Sequence, residues 1–480
     1  MTMTEATVLL IALILPWLMG VGLMRLLLRS PEISRCTTWG YGYVAGFMLL
    51  TLILRGYAGW ADQHHFWSIA VLLAGVTALL MLLGWRPSGR PREAPHGLAD
   101  AWPREAWQRV AFVVLLAVLL ARLLDLTLEV VWQPLYAWDA WAAWAPKARV
   151  WLEHRALVPF VDMEAWVEAG DGLRYTGVAW DYPPAVPLIQ YWMALSLGEW
   201  DDSLVNLPWV LLPAALGLAL YGQALTWRIS PLLALIGVYC LLSLPLLNAH
   251  TGLPGYADLW LAAGYGMASM ALFQWLRTRD RDQLLLAALM AAACPLIKHE
   301  GWVWALSLVP ITAWGLMSPP VRAATKVGLA VGVVVIAAAI ALDHYGYWDW
   351  YVDKHGILPE TLVLPVVGSV QLAYSPVWAA VGKNLLWLDS WHLLWLALAA
   401  ALVYGLTDRG VRQLSYLAPM GAQAALALSI VFAIFFLTEN AAWARDYTSL
   451  NRVLLQVVPM LVFFGLAVLQ ARLEHSQALG

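Results

Sequence analysis

The chain has 480 residues, 62% of them hydrophobic and 12% charged, with a mean hydropathy of +0.68. A water-soluble fold needs far more polar surface than this, so the composition specifies a polytopic membrane protein. A formal charge of -3 with no Lys/Arg block excludes a nucleic-acid footprint, and Cys36, Cys240 and Cys294, without C-x-x-C spacing, indicate neither a disulfide framework nor a thiolate metal site.

In chain order, the first apolar run, Val8 to Leu28, is too long for a signal-peptide core and reads as a retained span. A span needs about 20 apolar residues. Thirteen segments approach that measure: 6–28, 38–55, 66–85, 107–128, 203–226, 231–248, 257–276, 282–297, 301–317, 323–342, 386–406, 415–437 and 451–470. Alternate connections between them are basic. Arg25, Arg29 and Arg35 follow the first, Arg86, Arg90, Arg92 and Arg104 the third, and Arg228 the fifth. Arg277, Arg279 and Arg281, then Arg322 and Lys326, Arg409 and Arg412, and Arg472 continue the series. Positive residues are retained on the cytoplasmic side, so one parse satisfies the charge rule throughout, with the N-terminus outside and the C-terminus inside.

The opposite side carries the large connection 129–202, with eleven acids against four bases, and a second long one at 343–385. Within the first, Trp141, Trp144, Trp151 and Leu152 form a helical stripe expected to lie against the membrane interface. At about 100° per residue Asp139 then faces the opposite way, toward water or the bundle. The apolar run 185–197 is short and follows Tyr182-Pro183-Pro184; counting it as a span would invert every later side, so it reads as a second juxtamembrane helix.

The ionisable residues gather on this same side. Asp139, between Trp138 and Trp141, is placed to accept a proton from a hydroxyl as general base, or is a solvated interface acid. Asp181 and Tyr182 precede a proline-fixed turn and could line a sugar pocket. Asp258 opens a span, as a cap or as a site residue. Lys298, His299 and Glu300 form a cluster that is costly at a membrane surface unless paired or used; the alternative is a snorkelling hairpin tip. A Lys there can neutralise a phosphate, and Glu300 can hold it or bind a sugar hydroxyl. Arg452 begins the last span from the side the charge rule disfavours, so it binds a phosphate there or pairs with Asp446 or Glu439; Arg445 is a further phosphate candidate. His64, His65, His250, His299, His344 and His355 share that side without H-x-x-x-H or H-E-x-x-H spacing. No cofactor is identified, and a divalent cation is left open.

Trp138-Asp139-Ala140-Trp141, Asp181-Tyr182-Pro183-Pro184, Gly255-Tyr256-Ala257-Asp258, Lys298-His299-Glu300-Gly301 and Asn451-Arg452, in this order and on one side, resemble the GT-C superfamily of integral-membrane glycosyltransferases. The resemblance is to bacterial relatives of protein O-mannosyltransferases, the lipid A aminoarabinose transferase and the Rgt-type lipopolysaccharide glycosyltransferases. It covers roughly 107–470. It implies a GT-C-like bundle of about 13 transmembrane helices, with juxtamembrane helices in a large first external loop. It implies a polyprenyl-phosphate sugar donor, a glycolipid or protein acceptor, and Asp139 as the first-loop catalytic acid. Many relatives carry two adjacent acids there, whereas Ala140 follows Asp139 here. On this division 1–106 holds three leading helices and a cytoplasmic linker, and 107–480 the catalytic part with external loops 129–202 and 343–385. The expected location is a bacterial inner membrane with the site facing the periplasm. Rival readings are a lipid or glycan transporter or flippase, expected to show paired repeats and midplane polar sites, and an O-antigen ligase or polymerase.

Overall fold

The computed structural model describes residues 3–85, 102–170, 172–318, 320–321, 361–364 and 368–479. The expected span 323–342, most of the linker 86–104, part of the loop 343–385, and His344 and His355 lie outside the described residues.

The described chain is helical apart from one antiparallel hairpin, β1 (Thr361–Leu364) with β2 (Gly368–Gln371), in which Thr361 faces Gln371. The helices are α1 (Met3–Leu27), α2 (Arg35–Tyr57), α3 (Phe66–Leu83), α4 (Ala106–Trp132), α5 (Ala145–His154), α6 (Met163–Ala169) and α7 (Ala185–Leu197). There follow α8 (Leu207–Thr226), α9 (Pro231–Leu242), α10 (Pro245–Gly252), α11 (Asp258–Thr278), α12 (Arg281–Ile297), α13 (Glu300–Ser307) and α14 (Val309–Leu316). After the hairpin come α15 (Trp378–Leu386), α16 (Leu394–Leu406), α17 (Arg409–Arg412), α18 (Leu417–Phe436), α19 (Ala441–Arg445) and α20 (Leu450–Leu479).

Seven helices among the described residues are long and apolar enough to cross a membrane, and eight if α9 and α10, bent by 64° at their junction, form one broken span. The expected thirteen are not reached among the described residues, which leave out 323–342. Segment 301–317 divides into α13 and α14, with Pro310 in the first turn of the second. Segments 282–297 and 386–406 give helices of 17 and 13 residues. Helix α11 is 21 residues long, but it includes Asp258, Ser269, Gln274 and Arg277 and falls below the apolarity of a lipid-facing span. It has no need to be apolar. Residues 258–276 are all buried, because α11 runs through the centre of the bundle with other helices rather than lipid as its surroundings.

The leading helices are woven into the same core. Tyr41 of α2 donates to the Met267 carbonyl of α11 (2.7 Å), Tyr43 to Pro208 (2.7 Å), and Trp192 of α7 to the Ala12 carbonyl of α1 (2.8 Å). Helix α7, at 13 residues, is buried along nearly its whole length between these helices and α5, so its apolarity serves protein packing rather than lipid contact.

The basic connections share one end. Asp282 accepts from the backbone of Arg29 and Ser30, Thr226 donates to Glu32 (3.2 Å), and Arg277 donates to Trp227 (2.6 Å) and pairs with Glu474 (3.9 Å). Arg472 pairs with Asp408 there as well. The connections 133–203, 253–257 and 298–299 meet the start of α20 at the other end.

Candidate functional site

At that second end, three connections are folded onto one another by local features of the sequence. Asp139 follows α4 and leads into a π-helical turn, Ala140–Trp144, before α5. The wider turn breaks the 100° increment, so the wheel drawn through 139–152 does not hold. Trp144, Trp151 and Leu152 are buried in the protein rather than turned to lipid; only Trp141 of the stripe is exposed. Gly255, at φ +94°, lets the loop before α11 pass against the π turn, where a Cβ would sit 2.7 Å from that of Ala140. Gly301 lets the start of α13 fold back on α12, a Cβ there falling 2.0 Å from the Cys294 carbonyl oxygen. That corner swings Lys298, His299 and Glu300 over the end of α11.

Asp258 is the hub. Its side chain is 1% exposed. Its Oδ1 accepts from Lys298 Nζ (3.2 Å) and Gln456 Nε2 (2.8 Å), and its Oδ2 from Arg452 Nε (3.0 Å) and Nη2 (2.7 Å). It caps nothing, because α11 starts without a side-chain cap bond. Arg452 and Gln456 stand one turn apart on α20 and so reach the same carboxylate; Gln456 is fixed in turn by the Trp304 indole (2.6 Å). Arg452 pairs neither with Asp446 nor with Glu439. Its Nη2 lies 2.6 Å from Asp139 Oδ2, and its guanidinium covers the Tyr256 ring at 4.8 Å. Asp139 is 34% exposed, so one carboxylate of the network reaches the surface while its neighbour is sealed.

Lys298 also pairs with Glu300 (3.0 Å). Burial opposes its charge, but Asp258 and Glu300 outweigh burial and hold the ammonium above its ordinary range. A second wall stands beside it. The Tyr182 ring packs on His299 (4.8 Å) and Trp144 (5.3 Å), and His299 Nε2 is 3.5 Å from Asp181 Oδ2. Burial, then Glu300, push the Tyr182 phenol up to about 12, so it stays protonated as a donor. Glu300 Oε2 and His299 Nδ1 are buried without a hydrogen-bond partner among the described residues, so their hydrogen-bonding capacity is unused there.

Asp139, Asp181, Tyr182, Asp258, Lys298, His299, Glu300 and Arg452, picked from five separate stretches, thus form one network. Trp138 and Trp141 flank Asp139, edge to face at 4.7 Å and exposed. Arg445 ends α19, exposed, with no ion pair among the described residues. Comparison with family models, curated proteins and solved structures finds no match. Among the described residues no three His, Cys, Asp or Glu side chains converge as metal ligands.

Sequence reasoning passed over Gln456 and Lys147. A glutamine amid the apolar residues of the last span was a signal for the first. For the second, Lys147 falls at i+3 from Trp144 and i−4 from Trp151, on the stripe that proves to be buried. Its ammonium donates to the carbonyls of Trp180 (2.9 Å) and Tyr182 (3.1 Å), clamping the turn that carries Asp181. Burial pushes it down to about 8, against the pull of Asp181. An unfolded lysine titrates near 10.4. Between those values the unfolded chain holds a proton that the folded chain has lost, so this group's contribution to stability rises with pH across the window. The melting temperature of the wild type should therefore climb relative to Lys147→Met from pH 8 to pH 10. A flat difference would show that the amine does not titrate there.

Proposed function

We propose that the chain is an inverting membrane glycosyltransferase that moves a sugar from a polyprenyl-phosphate carrier to a hydroxyl acceptor, with Asp139 as general base. The observation that carries this reading is Arg452 bridging Asp139 and Asp258, which puts a cation suited to a leaving phosphate within hydrogen-bond reach of the surface carboxylate. The acceptor oxygen attacks the anomeric carbon from the face opposite the phosphate, and its proton passes to Asp139. The bond from the anomeric carbon to the phosphate oxygen breaks with its electron pair, releasing the lipid phosphate as an anion beside Arg452 and Lys298.

Lys298 and Arg452 face three carboxylates before any donor arrives. An incoming phosphate therefore competes with Asp139 for Arg452 rather than meeting an idle cation. Asp258, sealed and held by four donors, keeps the cations in place, and Asp139, the more exposed partner, is the one displaced. Donor binding thereby frees the base where it is needed. Asp181, Tyr182, His299 and Glu300 line the side on which sugar hydroxyls would bind, with Trp138 and Trp141 as rings at the rim. Arg445, exposed and apart, is the weakest of the phosphate candidates.

The charge rule supports placing this end outside the cytoplasm, on the periplasmic side of a bacterial inner membrane. Nucleotide sugars do not reach that side, which is why the donor is lipid-borne. A transporter would be expected to gather its charged groups near the midplane; here Asp139, Asp258, Lys298, Glu300 and Arg452 gather at one end. A ligase or polymerase would rely on external arginines and a histidine rather than on Asp139. Lys298→Ala and Arg452→Ala should each lower transfer from a polyprenyl-phosphate sugar about a hundredfold or more, measured on protein reconstituted in vesicles. Wild-type turnover in both would place the phosphate elsewhere. A membrane-impermeant maleimide should label Trp138→Cys from outside intact cells, in a background without native cysteines. Labelling only after lysis would remove the lipid-donor argument.

A further inference from the structure

Asp258 holds Arg452 by one edge. Nε and Nη2 donate to a single oxygen, Asp258 Oδ2, at 3.0 and 2.7 Å, and Asp139 Oδ2 lies 2.6 Å from Nη2. Nη1 makes no hydrogen bond among the described residues. A guanidinium presents two flat edges, Nε with Nη2 and Nη1 with Nη2, each offering parallel N–H bonds. Asp258 fills the first edge, and Asp139 meets the second at its Nη2 corner. A phosphate that displaces Asp139 therefore reaches the Nη1–Nη2 edge with two oxygens, the bidentate fit that suits arginine to phosphate.

Two bonds to one oxygen fix the distance of the guanidinium from Asp258 but not its tilt. Among the described residues Arg452 pairs with Asp139 and Asp258 and with no other carboxylate, so once Asp139 withdraws the tilt has to be set by something else. Tyr256 sets it. Its ring centre lies 4.8 Å from Arg452 Cζ, and the negative face of an aromatic ring attracts a cation laid over it. Burial holds the phenol above its ordinary range against the pull of Arg452, so the ring meets the guanidinium uncharged. The ring is itself fixed. The Tyr256 carbonyl accepts from the buried Trp209 indole (2.8 Å), and the side chain packs on the buried His250 (5.0 Å) and against the small apolar cluster of Leu135, Ala137, Ala140 and Ala145.

We propose that Tyr256 is a positioning residue for the leaving phosphate, its ring holding the plane of Arg452 so that the Nη1–Nη2 edge is presented to the phosphate when Asp139 gives way. The inference deepens the glycosyl-transfer reading and rests on it. Tyr256 acts through Arg452, so what it sets is how firmly the carrier phosphate is gripped. A cation over an aromatic face is worth about a five- to thirtyfold change in an equilibrium where water is largely kept from the pair, and the Arg452 side chain is 20% exposed.

Binding of polyprenyl phosphate can be measured on protein reconstituted in vesicles, beside transfer kinetics in the same preparation. Tyr256→Leu should weaken that binding about five- to thirtyfold and raise the donor KM by the same factor, with the acceptor KM unchanged. Tyr256→Phe, which keeps the ring, should stay within about twofold of the wild type. Phenylalanines with increasing numbers of ring fluorines in place of Tyr256 keep the shape and drain the negative face, so affinity should fall step by step along the series. Equal losses in Tyr256→Phe and Tyr256→Leu would place the role on the hydroxyl, and a flat fluorine series would take it away from the ring face. A loss confined to kcat, with carrier binding unchanged, would mark a structural defect. Each of these overturns the assignment. The binding arm needs no catalysis. A wild type that binds the carrier through the Tyr256 ring yet transfers no sugar would overturn the transfer reading and leave the platform standing. Transfer that fails in Arg452→Ala but is untouched in Tyr256→Leu would keep the reading and remove the platform.

Discussion

Asp139→Asn is expected to lower sugar transfer by about 10²- to 10⁴-fold, the range that a positioned general base supplies, while leaving the melting temperature close to that of the wild type. The two halves of the expectation have separate causes. The amide is isosteric with the carboxylate and can still meet Arg452, but it cannot take the acceptor's proton. The ion pair it replaces is 34% exposed on the Asp139 side, and pairs reached by solvent contribute only about 0–1 kcal/mol. Arg452 keeps its bonds to Asp258 in the variant, so its position should survive. Measured on reconstituted protein with saturating donor, the loss should fall on kcat, because the base acts in the transition state. A variant that turns over at the wild-type rate removes Asp139 from the base role. One that loses both activity and several degrees of melting temperature shows instead that its pair with Arg452 is structural.

How much of this was readable beforehand depended on whether a residue's neighbours in sequence were also its neighbours in space. The seven helices long and apolar enough to cross a membrane announce themselves as long apolar runs, the pattern that a lipid solvent imposes. Helix α11, counted as the span 257–276, is instead surrounded by protein and so is free to carry Asp258, Ser269 and Gln274. Counting apolar segments gave thirteen spans, one of them (323–342) outside the described residues, where the described helices give seven or eight. The site was legible as a set of charges on one side of the membrane, because ionisable groups at an apolar surface are costly unless used. The partners were not legible. Arg452 was weighed against Asp446 and Glu439, near in sequence, and it bonds Asp139 and Asp258, far away in the chain. Only the packing of α4, α11 and α20 brings those three together. The tryptophan stripe failed for a local reason: a π turn at Ala140–Trp144 resets the wheel, and nothing in Ala-Trp-Ala-Ala-Trp announces it.

Asp258→Ala should destabilise the fold by about 3–5 kcal/mol, the usual consequence of removing one member of a buried ion pair. The carboxylate is 1% exposed and accepts from Lys298, Arg452 and Gln456. Without it, two cations and a carboxamide stand buried at the end of the bundle, with Glu300 and Asp139 as the remaining counter-charges, both nearer the surface. A folded protein holds only about 5–15 kcal/mol in all, so folded protein recovered from membranes should fall with the melting temperature. Asp258→Asn separates charge from shape: it can still accept through one oxygen, yet it leaves the two cations with only the more exposed Glu300 and Asp139 as counter-charges, so it should remain well below the wild type. Lys298→Met on the Asp258→Ala background should recover part of the loss, because it removes one of the stranded charges, and this coupling is what a double-mutant cycle measures. Thermal unfolding of the wild type, Asp258→Ala, Asp258→Asn, Lys298→Met and the double variant in one detergent decides the matter. Equal melting temperatures for Asp258→Ala and the wild type would mean that the cations are held by something other than Asp258. Strictly additive losses in the double variant would mean that Lys298 and Asp258 do not act as a pair. Either result would also undo the gating of Asp139 by donor phosphate, since only a fixed Asp258 makes Asp139 the partner that gives way.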